Sequence, residues 1–210
     1  MCGRFYVPEK DLDDFAGLVN KVEKDLLKKA GEMYPGDYAP VITPARREEQ
    51  SSDTQEGESI HIIKWGFPIQ NGKLIINARS ETVHEKPLFK MPFTSKRCLI
   101  PARGFFEWKD SSENVKDKKR IKHYLTLLDG QMMYFAGLYW FFKDQEGTLK
   151  PYFTILTTQA NEDVRLLHDR MPVIIPKENH HIWLYDPPQN ERLLLLMKPV
   201  SKGQLAISKA

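Results

Sequence analysis

Strand-length apolar runs recur along this chain, at Ile60 to Trp65, Leu74 to Ile76, Arg97 to Trp108, His123 to Leu128, Met133 to Tyr139 and Tyr152 to Thr157. The gaps between the later runs carry Asp129-Gly130 and Glu146-Gly147. Such pairs are hairpin chemistry, because glycine takes the positive φ that a tight turn demands, and successive hairpins build antiparallel sheet. Helical period is confined to a few segments. Phe15, Leu18, Val19, Val22 and Leu26 recur at three- and four-residue spacing, which predicts one amphipathic helix soon after an N-terminal strand. Shorter helices are expected over Asn161 to Leu167, Lys177 to Tyr185 and Glu191 to Met197. Residues 46 to 58 (RREEQSSDTQEGE) are polar and aromatic-free, and read as a long exposed hairpin loop. The expected class is α+β: a single domain over residues 1–210, built on a mainly antiparallel, barrel-like β-sheet with a few flanking helices and ending in a polar tail from about residue 200.

Composition narrows what such a domain does. At 210 residues, 41% hydrophobic and 28% charged, the chain is long enough for one full core. A net charge of +3 permits a polyanionic partner without requiring one. Cys2 and Cys98 are the only cysteines, too few for a disulfide framework or a cysteine-rich zinc site, so a reducing cytoplasm is expected. Cys98 sits in Cys98-Leu99-Ile100 and reads as a core thiol. With charged residues early and no long apolar run, neither export nor membrane insertion is expected. There is no phosphate-binding glycine loop, dinucleotide fingerprint or internal repeat. His180-His181 beside Glu178 lacks the helical spacing of a metal pair, so neither metal nor cofactor is expected.

Four local constellations carry candidate chemistry. The first is Cys2-Gly3-Arg4-Phe5. Loss of Met1 would expose a 1,2-aminothiol, whose amine condenses with an aldehyde and whose thiol closes onto the resulting imine as a five-membered thiazolidine. Reference pKa values of about 8 for the amine and about 8.5 for the thiol leave part of each nucleophilic near neutrality. The plainer reading is a cysteine placed by accident at a frayed or acetylated terminus, with Arg4 either a phosphate contact or an ordinary surface arginine.

The second is Ile75-Ile76-Asn77-Ala78-Arg79-Ser80-Glu81, an apolar strand running into polar residues. Asn77 offers a donor and acceptors and Arg79 a phosphate fork, or Asn77 or Ser80 merely caps a following turn. The third is Gly104-Phe105-Phe106-Glu107-Trp108-Lys109. A carboxylate among Phe105, Phe106 and Trp108 lies either at an exposed edge or in a desolvated pocket, where its raised pKa would suit proton transfer, and Trp108 offers a face on which a base stacks. The fourth is Leu167-His168-Asp169-Arg170-Met171-Pro172, whose two-residue spacing sets His168 and Arg170 on one side of an extended segment.

These segments, together with Ala39-Pro40 and Trp65-Gly66 and taken in this order, resemble the SRAP family (SOS response-associated peptidase, or abasic site processing proteins) over nearly the whole chain. The resemblance implies one compact, monomeric domain that binds single-stranded DNA and joins covalently to its abasic sites. It implies that Cys2 is the nucleophile, that Asn77 positions its amine or the sugar, that Glu107 assists sugar opening and proton transfer, and that His168 acts as acid or base. Arg4, Arg79 and Arg170 would grip phosphates, and Pro40, Trp65 and Trp108 would belong to the DNA-binding surface. The protein would be cytoplasmic and nucleoid-associated when bound to DNA.

The chain departs from the family pattern in two places. Gly36-Asp37-Tyr38 has an aspartate where the family commonly has asparagine, and Phe67-Pro68-Ile69-Gln70 lacks a second tryptophan. Both leave the preferred DNA end or junction open. Two other functions stay in play: an N-terminal-cysteine peptidase, in which Met1 removal is autocatalytic, and a non-catalytic reader of modified or single-stranded DNA through Trp65, Trp108 and the arginines. The basic run Lys116-Asp117-Lys118-Lys119-Arg120 is expected to be a solvated hairpin tip.

Overall fold

The computed structural model describes residues 2–16, 30–45, 57–110 and 120–210. The strands are β1 (Phe5–Val7), β2 (Gly31–Met33), β3 (Tyr38–Pro44), β4 (Glu58–Trp65), β5 (Phe67–Pro68), β6 (Leu74–Ile75), β7 (Asn77–Arg79), β8 (Arg97–Ala102), β9 (Gly104–Asp110), β10 (Arg120–Leu127), β11 (Met133–Lys143), β12 (Leu149–Gln159), β13 (Arg170–Pro172) and β14 (Leu205–Lys209). The helices are α1 (Glu9–Ala16), α2 (Pro87–Ser95), α3 (His180–Tyr185) and α4 (Glu191–Leu196).

Five strands close a barrel, in which the Glu146-Gly147 turn joins β11 to β12 as a hairpin, whereas Asp129-Gly130, expected to make one too, links β10 and β11 of different sheets. β11 pairs with β8, β8 with β3, β3 with β4, β4 with β12, and β12 returns to β11, so five strands form a ring. Every pairing in that ring is antiparallel except β4 with β12. β7 and β13 also lie on β12. A second sheet, in the order β14-β10-β9-β1-β2, packs its buried side against this barrel.

Strand alternation divides the apolar residues into two cores. From β8 and β11, Cys98, Ile100, Ala102, Met133 and Phe135 pack with Phe5, Trp65, Phe105 and Phe153 in one core. The alternate residues Leu99, Ala136 and Leu138 meet Phe93 of α2 and Trp183 of α3 in the other. β8 is therefore buried along its entire length. At Gly137 the inner wall leaves no room for a side chain: a Cβ there would lie 2.2 Å from Ile100 Cδ1.

Several expected boundaries are corrected. The run Arg97 to Trp108 is two strands, β8 and β9, broken at Arg103, whose amide bonds the Tyr6 carbonyl instead of continuing the ladder. The polar tail is not a tail: β14 pairs in register with β10, Leu205 opposite Leu127 and Ile207 opposite Leu125. Backbone pairing secures it, and composition does not reveal that. Ala39 and Pro40 lie buried near the start of β3. The helix expected over Asn161 to Leu167 is only a 3-10 turn at Val164–Leu166, and Lys177 to Tyr185 begins as a 3-10 turn before α3. α2 escaped the sequence reading because Pro87 and Pro92 look like breakers, although Pro87 sits at its favourable first position. Of the helix expected around Phe15 to Leu26, Phe15 lies in α1 and the rest falls outside the described residues. Residues 46–56 and 111–119, which hold most of the acidic loop and the basic run, also fall outside them.

One buried cation ties the helices to the barrel. Arg97, 4% exposed, donates to the carbonyls of Phe93 (2.7 Å), Trp183 (2.5 Å) and Asp186. Burial pulls its pKa down to about 10, partly offset by Asp186, so it stays charged at neutral pH. Arg97→Met keeps much of the stem but orphans three acceptors near the ends of α2 and α3. At about 1–3 kcal/mol per buried unsatisfied group, with partial relaxation, the expected loss is roughly 3 kcal/mol. For a chain of this size that is a fall in Tm of roughly 6–12 °C by calorimetry. An unchanged Tm would show that the carbonyls find other donors.

Candidate active site

The register of the second sheet builds the site from the N-terminus. Phe5 pairs with Met33 on one side and Phe105 on the other. The Phe106 amide donates to the Arg4 carbonyl at 2.9 Å, which carries the first residues of the chain alongside Glu107. Phe5 anchors this arrangement in the core, 5.0 Å from the Trp65 ring.

Asn77 reaches Cys2 from the barrel. Trp65 Nε1 holds the Ile76 carbonyl at 3.0 Å, fixing the chain where β7 begins, and Asn77 Nδ2 then donates to the Cys2 carbonyl at 3.0 Å. Asn77 Oδ1 is buried with no hydrogen-bond partner among the described residues, an arrangement that costs about 1–3 kcal/mol unless a donor meets it. Cys2 itself is fully buried, its Sγ 4.0 Å from the Arg4 carbonyl oxygen. Burial, then the neighbouring Glu107 carboxylate, pushes its thiol pKa up. The thiol is therefore held protonated at neutral pH.

Glu107 is 3% exposed. Burial raises its carboxyl above the ordinary range, opposed by the chain's N-terminal charge and by His168. The carboxylate of the aromatic segment is thus in the desolvated setting rather than at an exposed edge. His168 follows the turn at Val164–Leu166, its amide bonded to the Val164 carbonyl at 2.9 Å. Its Nδ1 lies 2.9 Å from the Arg170 amide and 2.7 Å from Asp169 Oδ1. The first contact needs a bare Nδ1 and the second a protonated one, so they belong to different protonation states of the ring. Cys2, Asn77, Glu107 and His168 share one neighbourhood, linked by the Asn77–Cys2 bond and by the charges of Glu107 and His168.

The residues expected to face DNA divide. The Arg4 guanidinium lies 4.3 Å from the Tyr34 ring centre and 4.7 Å from that of Trp108, and bonds Glu32 at 3.2 Å. Trp108 is half-buried and Arg79 exposed. Arg170 is held by Glu81 through two bonds of 2.7 and 2.9 Å and donates to the Thr157 carbonyl at 2.6 Å. Trp65 and Pro40 are corrected. Trp65 has no exposed surface and stacks on Phe153, and Pro40 is buried in β3, so neither offers a face to a base. Sequence reasoning missed Glu32, Tyr34 and Lys122, which bonds the same Glu32. They are brought beside Arg4 only by sheet register, which no local pattern encodes. Among the described residues no cluster of three or more His, Cys, Asp or Glu is placed to hold a metal, and no helix is long and apolar enough to cross a membrane.

Fold and site together define an α+β barrel protein in which the Cys2 carbonyl is held by the Asn77 amide and the Glu107 carboxyl is coupled by charge to both the Cys2 thiol and His168. The chain belongs to the SRAP family, whose profile, described as "SOS response associated peptidase (SRAP)", matches residues 1–210. It is 36% identical over 191 residues to the abasic site processing protein YoqW of Bacillus subtilis (strain 168), spanning 88% of this chain and 80% of YoqW. It is 35% identical over 206 residues to YobE of the same organism, also named an abasic site processing protein, spanning 93% and 89%. A crystal structure of a Bacteroides thetaiotaomicron protein shares the fold with a TM-score of 0.75 at 23% identity, over 99% of this chain and 91% of that one.

Proposed function

We propose that this protein, once Met1 is removed, captures abasic sites in single-stranded DNA through the amine and thiol of Cys2. The observation that carries the reading is the hydrogen bond from the Asn77 amide to the Cys2 carbonyl at 3.0 Å, with the charge of Glu107 felt at the Cys2 thiol and relatives named for abasic-site processing in support.

An abasic deoxyribose is mostly a closed hemiacetal. In the opening step Glu107 takes the C1′ hydroxyl proton, the C1′–O4′ bond breaks, and His168 gives a proton to O4′. The Cys2 amine adds to the C1′ aldehyde and water leaves, giving an imine. The Cys2 thiol then adds to C1′, its proton passing through Glu107 to the nitrogen. The sum is aldehyde plus aminothiol giving thiazolidine plus one water. Asn77 Oδ1, a buried acceptor, is suited to orient the freed amine. Ring closure competes with β-elimination of the 3′ phosphate from the imine, so the adduct shields the strand. Arg4 and Arg79 serve as phosphate contacts and Trp108 as a stacking face, while Arg170 adds its charge from within its pair with Glu81.

Incubation with an abasic oligonucleotide followed by denaturing electrophoresis tests this reading. A covalent shift without reductant is the expected result. Retention only under native conditions would make the protein a non-catalytic reader, and peptide cleavage without a shift would favour a peptidase.

A further inference from the structure

We infer that Glu81 is a positioning residue for His168, acting through Arg170 to hold the imidazole with its proton on Nε2. This rests on the proposed role of His168 as the acid of sugar opening.

Arg170 is engaged at both ends. Its guanidinium forms a two-pronged pair with Glu81 (2.7 and 2.9 Å) and donates to the Thr157 carbonyl (2.6 Å), with the side chain only 12% exposed. Its backbone amide donates to His168 Nδ1 at 2.9 Å. An N–H donated to Nδ1 is possible only when that nitrogen is bare, which leaves the proton of a neutral ring on Nε2. Glu81 therefore reaches the imidazole through one residue.

β13 needs such an anchor. It is three residues long, begins at Arg170, and ends at Pro172, which has no amide to give. A strand this short is weakly held by its own ladder. Asp169 offers the alternative: its Oδ1 lies 2.7 Å from the same Nδ1 and would draw a proton there if the Arg170 amide swung away. Asp169 is 83% exposed, so water screens its pull, whereas the Glu81–Arg170 fork is bidentate and half sheltered. The fork decides which partner Nδ1 keeps. Glu107 from β9 is coupled to the ring by charge as the second charged neighbour, and with Nδ1 occupied by the backbone the Nε2–H is the ring's donor toward the opening sugar.

The test reads the ring directly, without DNA. In histidine-15N-labelled full-length protein, long-range 1H–15N spectra distinguish the tautomers, and His168→Gln assigns the signals. Wild type is expected to show Nε2–H at His168, and Glu81→Gln, which loses the charged fork, to show a mixture or Nδ1–H. Cross-linking slowed roughly tenfold is expected beside it, short of losing the acid outright. An unchanged His168 tautomer in both Glu81→Gln and Arg170→Lys overturns the inference. Arg170→Lys, which keeps the charge and loses the fork, gives the same readout if Glu81→Gln does not fold. If the tautomer shifts while even wild type forms no cross-link, the positioning stands and the proposed function falls.

Discussion

Cys2→Ser should reduce the heat-stable adduct with abasic DNA to near background in the absence of reductant. Serine keeps the amine, so the imine still forms and a hydride donor should trap it at close to the wild-type yield. It lacks the sulfur that closes the ring, and an imine left open is free to eliminate, so strand scission should rise as stable adduct falls. The substitution suits the site sterically. Cys2 is buried beside the Arg4 carbonyl, to which a hydroxyl can donate, and the two side chains differ by little in size. Comparison of borohydride-treated and untreated samples on a denaturing gel separates the two functional groups. A Cys2→Ser adduct as heat-stable as wild type without reductant would mean that sulfur does not seal the link.

Glu107→Gln should slow adduct formation by about a hundred- to ten-thousand-fold, the usual worth of general acid–base assistance, while leaving affinity for undamaged single strands nearly intact. Glutamine keeps the shape and a hydrogen-bonding head but exchanges no proton. The pH profile adds a second signature. Burial raises the Glu107 carboxyl above its ordinary range, and the base is the ionised form, so the wild-type rate should climb as pH passes upward through that raised value. The variant should lack this limb. Single-turnover rates across pH, with abasic DNA in excess, provide the measurement. Wild-type rates for Glu107→Gln would show that the DNA's own ring-opening equilibrium suffices and that this carboxyl is structural.

How much of this was legible in the sequence depends on whether the determinant was local. The antiparallel barrel class followed from apolar runs and glycine turns, because turn chemistry and alternation are written in neighbouring residues, although only Glu146-Gly147 closes a hairpin and Asp129-Gly130 joins strands of different sheets. Gly130 and Gly147 do take positive φ, at 68° and 81°. The meeting of Asn77 with Cys2 was not readable from spacing, since 75 residues separate them and a parallel pairing of β7 on β12 sets the distance. It entered only through resemblance. Trp65 shows the opposite failure: a tryptophan in a recognisable motif suggested part of a DNA-binding surface, yet its ring fills the core and its nitrogen holds the strand that presents Asn77. Residue type alone cannot separate an aromatic that meets a ligand from one that positions the residue that does. β14 was missed for a related reason, because an edge strand is secured by backbone pairing that polar side chains conceal.

The sheet around β1 also sets an order of events during synthesis. β1 leaves the ribosome first, yet its partner β9 follows about a hundred residues later, a delay of roughly 5–20 s at ordinary elongation rates. Until β9 arrives, nothing can bury Cys2 in the way the finished fold does. Cys2 is therefore accessible while β1 waits for β9 and buried afterwards. On the proposed function, removal of Met1 belongs to that interval, before the fold buries Cys2.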